Sequence, residues 1–237
     1  MTTEATVGRG PLGRIREVAA DPESLRSWTA VANDAIIATA GILEGFAGAG
    51  ADDHALVVAA TVATVAGLLA AGGAKFAEVD AEREAQVAAA ADEAASLAIA
   101  PEVELEELVA YYEAKGLSPH LARQVAEELM AHDAIAAQLE SEHGILEPIS
   151  FSDAVLAGVG ASVAYAIGAA IPLAITIFVP ATIETWLIAG AVVVSLLGTS
   201  IIGARTGQMH VGRTVVRTLA IGIGTMVVSF AVGSLVF

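Results

Sequence analysis

Five apolar stretches divide this chain, and one long polar stretch separates the second from the third. The apolar stretches cover residues 28–50, 55–74, 154–179, 183–204 and 214–237. Each approaches or exceeds the roughly 20 helical residues needed to cross a hydrocarbon core about 30 Å thick. The first would span roughly 34 Å as a helix. Small residues interleave with Val and Leu in the second, as in Val57, Val62, Leu68 and Leu69 among Ala, Thr and Gly. Small residues let helices approach closely in lipid, which predicts a tight hairpin of the first two spans. Pro172 falls inside the third stretch and predicts a kink of the kind that neighbouring helices tolerate.

The polar stretch has a different period. Leu105, Leu108, Val109 and Tyr112 recur at helical spacing, and so do Leu121, Val125 and Leu129. Pro101 separates a helix over 76–98, continuing the second span, from one over 102–115. Gly116 is a C-terminal stop, Ser118-Pro119 a start, and Gly144 ends a third helix at about His143. The pattern therefore predicts an all-α integral membrane protein. It has five transmembrane helices and a cytoplasmic three-helix insertion between the second and third. The divisions are a polar tail over 1–27, spans one and two over 28–74, an acidic helical domain over 75–150, and spans three to five over 151–237. In the tail, an amphipathic approach over 14–26 leads to the first span, with Asp21 or Ser24 as its cap.

Composition sharpens this picture. The chain of 237 residues is 56% hydrophobic with a mean hydropathy of +0.70, well above a soluble domain. It has no cysteine, which excludes disulfides and thiolate metal sites. The N-terminus has no apolar run of signal-peptide length, so the first span is expected to serve as an uncleaved signal. The net charge of −16 argues against nucleic acid as a partner. It fits either a salt-adapted surface or carboxylates that bind cations. The eleven basic residues are Arg9, Arg14, Arg16, Arg26, Lys75, Arg83, Lys115, Arg123, Arg205, Arg213 and Arg217. With five spans, all fall on one side. The positive-inside rule then places the N-terminus and the insertion in the cytoplasm and the C-terminus outside. The scarcity of lysine points to a salt-loving prokaryote and so to its plasma membrane.

Candidate chemistry is carried by carboxylates. Asp34 and Glu44 lie inside the first span, where a charge costs about 2.5 kcal/mol or more on insertion scales. Such residues usually face a partner, a cavity or an ion path, although Asp34 could also serve only as a cap or a helix-helix hydrogen bond. A divalent cation needs several oxygen ligands. A homodimer with its axis between two first spans would pair two Asp34 side chains. Like-charge repulsion between them would be a basis for exchanging a proton for a metal ion. The insertion holds 17 acidic residues. Glu104 and Glu107 are one turn apart on one helix face, and Glu140 and Glu142 lie near the end of the third helix. Antiparallel helices could bring these within ligand distance, as in carboxylate-rich bundles. A merely solvated acidic face is the alternative. No nucleotide loop, zinc-protease pair or Ser/His/Asp arrangement is present, so an enzyme is not expected.

Several stretches together resemble the vacuolar iron transporter family in its prokaryotic form. They are Asn33-Asp34 with the following apolar run, Ala66-Gly67 through Gly72, ELVAYYEAKGL from Glu107, LMAHDA from Leu129, EHGI from Glu142 and GAAIPL from Gly168. The resemblance covers about residues 26–237. It implies a homodimer of five-span subunits with a cytoplasmic helical metal-binding domain. It implies export of ferrous iron or manganese from the cytoplasm in exchange for protons, with no resident cofactor. Asp34 falls on the family's pore aspartate, and Glu93, Glu104, Glu107 and Glu142 on its metal-domain glutamates. The chain departs from the pattern at several places. Ala71 stands where the family has a pore methionine, and Ala63 where plant members have a membrane glutamate. Ala74-Lys75-Phe76 replaces Gly-Glu-Tyr, and Gln138 and Leu139 fall near a methionine pair. Without sulfur ligands, the remaining oxygen set suits manganese or magnesium-like ions at least as well as iron. Glu44 could be a substitute carboxylate. The leading expectation is a proton-coupled divalent metal exporter. The alternatives are a membrane-anchored metal-binding or sensing protein with an inactive pore, and a structural membrane protein with a salt-adapted domain.

Overall fold

The computed structural model describes residues 22–179, 181–207 and 209–236, the side chains of 181–185, 206 and 236 excepted. Among these residues there are seven helices and no strand. They are α1 (Pro22–Gly48), α2 (Asp53–Ile99), α3 (Pro101–Ala114), α4 (Pro119–His143), α5 (Phe151–Phe178), α6 (Ala181–Thr206) and α7 (Val211–Val236). Five of them, α1, α2, α5, α6 and α7, are long and apolar enough to cross a membrane. The described chain forms two compact units. One comprises the residues up to Lys75 and those from Leu156 on; the other is Phe76–Val155.

Helix α1 begins six residues before the apolar stretch does. Pro22 presets a helical φ, and Glu23 sits favourably at the positive end of the helix. Ser24, one of the expected caps, therefore lies inside the helix. Asp21 and most of the expected amphipathic approach lie outside the described residues. Ala35, Ile36, Thr39, Ala40 and Leu43 fall on one face of α1 and are buried. That face joins Leu56 and Ala60 of α2, Ile188, Val192 and Leu196 of α6 and Met226 of α7 in one core.

Helix α1 packs on α6 and α7, and α6 packs on α7. The contact of α1 with α7 is backbone to backbone. A Cβ on Gly233 would overlap the Gly45 carbonyl oxygen, and one on Gly48 would overlap that of Phe230. Without a hydrophobic force between helices in lipid, such close approach supplies the packing energy. Outside this core, Val62, Leu69, Val194 and Val216 are each more than 60% exposed. Water would penalise that surface, whereas acyl chains would not. Pro172 is fully buried within α5, which continues past it to Phe178, and its carbonyl accepts from Thr176 Oγ1 at 3.2 Å.

The second unit starts from the remainder of α2. Asp52 Oδ1 accepts the Ala55 amide at 2.8 Å and caps the helix start. From Asp53, α2 then runs 47 residues without a break, roughly 70 Å and twice what a bilayer needs. The helix over 76–98 is the continuation of the second span that the pattern predicts. Helices α3 and α4 pack as a hairpin around Leu108, Val109, Ala122, Ala126 and Ala137. Gly116, at φ 100°, makes the turn, and Leu117 N–H reaches back to the Tyr112 carbonyl. Arg123 pairs with Glu106 across the hairpin at 2.5 Å.

Other boundaries also differ from the sequence pattern. Helices α6 and α7 begin earlier, at Ala181 and Val211, because a helix extends past its apolar face where polar residues tolerate the interface. Helix α4 breaks at Asp133, which is extended at φ −157° and ψ 94°. Its Oδ1 accepts the Ala136 amide at 3.0 Å, so Asp133 caps the second half of α4 as well as ending the first.

Candidate functional site

Four acidic residues of the second unit converge from three helices. Glu93 comes from α2, Glu104 and Glu107 from successive turns of α3, and Glu142 from the last turn of α4. Glu104, Glu107 and Glu142 each place a carboxylate oxygen within 4.8 Å of the others. Glu93, Glu142 and His143 form a second such group. Opposite ligands around a small divalent cation lie about 4.3 Å apart, so both groups fit one ion each. Glu142 belongs to both.

Local sequence explains this convergence. Glu104 and Glu107 share a face through their i,i+3 spacing. The break at Asp133 resets α4, so that Gln138 and Glu142, at i,i+4, face α3 together. Gly144 ends α4 in the left-handed conformation at φ 68°. Its amide and that of Ile145 return to the carbonyls of Glu140 and Leu139. This fixes the turn that carries Glu142 and His143.

Burial sets the electrostatics. Glu93 and Glu104 are 6% and 8% exposed, whereas Glu107, Glu142 and His143 are exposed. Two buried carboxylates among further carboxylates are costly unless a proton or a cation offsets them. Glu93 Oε1 lies 3.2 Å from His143 Nε2. Glu104 receives the side-chain amide of Gln138 at 3.2 Å on Oε2, and Gln138 also donates to the Glu104 carbonyl at 2.7 Å. Burial first, and then the charges of Glu107, Glu93 and Glu142, push the Glu104 carboxyl above the ordinary value of 4.5.

The raised value fixes a sign. The folded chain holds the Glu104 proton more tightly than the unfolded chain does. Its stabilising contribution is therefore fully present below 4.5 and is lost as pH rises through the higher folded value. Glu104→Gln keeps an acceptor oxygen for Gln138 and removes the charge. Without metal, this variant is expected to melt roughly 2–5 °C higher than wild type at neutral pH, with the gap closing toward pH 4. Thermal melts of the full chain in detergent across that range check this. A gap that does not close in acid would show that charge is not the cause.

The other expected residues lie elsewhere. Glu140 is half-buried beside Tyr112, whose hydroxyl it helps to push up in pKa behind the effect of burial, and it belongs to neither group. Asp34 is exposed on α1, one residue before the buried Ala35 and Ile36. Its neighbour Asn33 accepts a hydrogen bond from Thr199 of α6. Glu44 is buried in α1 at 5% exposure. Tyr165 of α5 stands within electrostatic reach of Asp34 and packs its ring end on Gly67.

Sequence reasoning gave three of these neighbours no role in the site. His143 stands in the sequence only inside the run Glu142-His143-Gly144-Ile145, and the run by itself assigns it no ligand role. Gln138 carries no charge. Tyr165 had a signal, as the one tyrosine of three that lies in an apolar stretch.

The model of the VIT family matches residues 25–234. The chain is 34% identical over 121 residues to a protein of Acanthamoeba castellanii (strain ATCC 30010 / Neff) named "Vacuolar iron transporter". That alignment covers 51% of this chain and 43% of the relative, so the chain matches under half of that protein's length. With nearly its whole described length matched, the chain belongs to the VIT family.

Proposed function

We propose that this protein is a proton-coupled transporter that exports divalent metal, ferrous iron or manganese, from the cytoplasm. The observation that carries this reading is the pair of three-residue groups sharing Glu142, with Glu93 and Glu104 buried in them. In the proposal these groups capture the ion and hand it to a membrane path that includes Asp34, with Glu44 as a further carboxylate of that path. His143 adds a nitrogen donor to an oxygen set, a mixture that suits iron and manganese better than calcium. The second unit is cytoplasmic, as the basic residues imply through the positive-inside rule, and the C-terminus is outside.

Asp34 supports a homodimer. Its carboxylate is exposed on a single protomer, in a helix long enough to cross the bilayer. Facing lipid it would be costly, whereas a second copy would provide a partner carboxylate and a path. The relative named an iron transporter supports the choice of substrate class.

Uptake into proteoliposomes with an acidic interior tests the reading. Manganese and ferrous iron, supplied separately, are expected to enter saturably and to release protons from the lumen. No uptake above empty liposomes, with metal still bound by the protein in detergent, would favour a metal-sequestering or sensing protein.

A further inference from the structure

Gln138 is the largest buried side chain of the second unit that is polar and uncharged, and its accessible surface is 0%. Each atom of its amide is committed. Nε2 donates to the Glu104 carbonyl oxygen at 2.7 Å and to Glu104 Oε2 at 3.2 Å. Oε1 accepts from Ser141 Oγ at 3.2 Å, and the same hydroxyl reaches the Gln138 carbonyl at 3.1 Å. The reverse orientation of the amide would set oxygen against the Glu104 carbonyl, so the network itself dictates which end faces Glu104. One residue thus grips both the backbone and the carboxylate of a buried member of the acidic group.

The grip has a chemical consequence. Glu104 Oε2 spends a lone pair on the amide, which leaves the carboxylate turned to bind a cation mainly through its other oxygen. Calcium takes six to eight oxygens and often claims both oxygens of a carboxylate. Manganese, ferrous iron and magnesium take about six ligands at shorter distances. We propose that Gln138 is a specificity-determining positioning residue, which holds Glu104 for one-oxygen coordination and so disfavours calcium at the Glu104, Glu107 and Glu142 position. The inference deepens the proposed metal capture and rests on it. Ser141 serves as the tether that keeps the amide from turning.

The test compares Gln138→Leu with the full-length wild type in detergent. Manganese binding is measured by electron paramagnetic resonance, and calcium binding by competition against it. Gln138→Leu removes the donor and keeps an apolar side chain of similar size in a buried site. Its manganese affinity is expected to fall by about 10-fold, the lower range for loss of an outer partner of a metal ligand. Calcium affinity should fall less or rise, so that the calcium-to-manganese preference shifts. Ser141→Ala, which leaves the donor in place but untethered, should shift the preference in the same direction and less. It keeps the question open to measurement if Gln138→Leu does not fold. An equal loss of both ions, or no change in the ratio in either variant, overturns the inference and leaves metal capture standing. Wild-type protein that binds neither ion overturns the capture reading itself, and this inference with it.

Discussion

Asp34→Ala is expected to abolish metal uptake in proteoliposomes while leaving metal binding in detergent unchanged. The two effects separate because Asp34 belongs to the membrane unit and the clustered glutamates to the other. A charge at the centre of a spanning helix costs about 2.5–3.5 kcal/mol on insertion scales. If the cation's charge offsets that cost during passage, removing the carboxylate withdraws about the same amount. The rate should then fall by about 100-fold or more. Asp34→Asn, similar in shape without the charge, should fail nearly as badly. Since Asp34 is exposed on the protomer, neither variant should lower the melting temperature of the protein. Uptake by Asp34→Ala at a third or more of the wild-type rate would remove Asp34 from the path. A variant that also fails to bind metal in detergent would point to misfolding instead.

The second large effect belongs to Glu142. It is the residue common to both groups, so Glu142→Gln is expected to weaken both ion positions, and Glu107→Gln only one. Manganese affinity should fall by at least about 10-fold in Glu142→Gln, as expected when a carboxylate ligand is lost. Titration calorimetry on the full chain reads affinity and stoichiometry together. Glu140→Gln is the internal control. It removes the same charge two residues away, from a position beside Tyr112 that belongs to neither group. Equal losses in Glu140→Gln and Glu142→Gln would mean that general acidity, not this geometry, draws the metal.

These two residues also mark what could be read along the chain. Asp34 was legible because a carboxylate in an apolar run is an anomaly that needs only hydropathy to detect. The pairing of Glu104 with Glu107 was legible because helical spacing fixes a shared face. Glu140 and Glu142 looked equivalent, since both sit in the last turn of one helix. Which of them turns toward α3 depends on the rotation of that helix, and the break at Asp133 resets it. Nothing in residues 129–136 signals a break, because Asp133 ends the helix by accepting an amide that a continuous helix would have used otherwise.

The sequence by itself determined the five long apolar helices, the polar helices between the second and third, and the glycine stops at Gly116 and Gly144. Each follows from hydrophobic period or from backbone freedom, and both are properties of neighbouring residues. It also determined which carboxylates were candidates. Tertiary structure alone decided that Glu93, 50 residues from His143, lies 3.2 Å from it, that Gln138 reaches Glu104, and that Glu142 rather than Glu140 joins the group. It also decided that Asp34 points out of the protomer and Glu44 into it. The reason is the same in every case. Spacing places a side chain on a face of its own helix, but which face meets which neighbour is set by packing, where small residues such as Gly45 and Gly233 let two backbones touch.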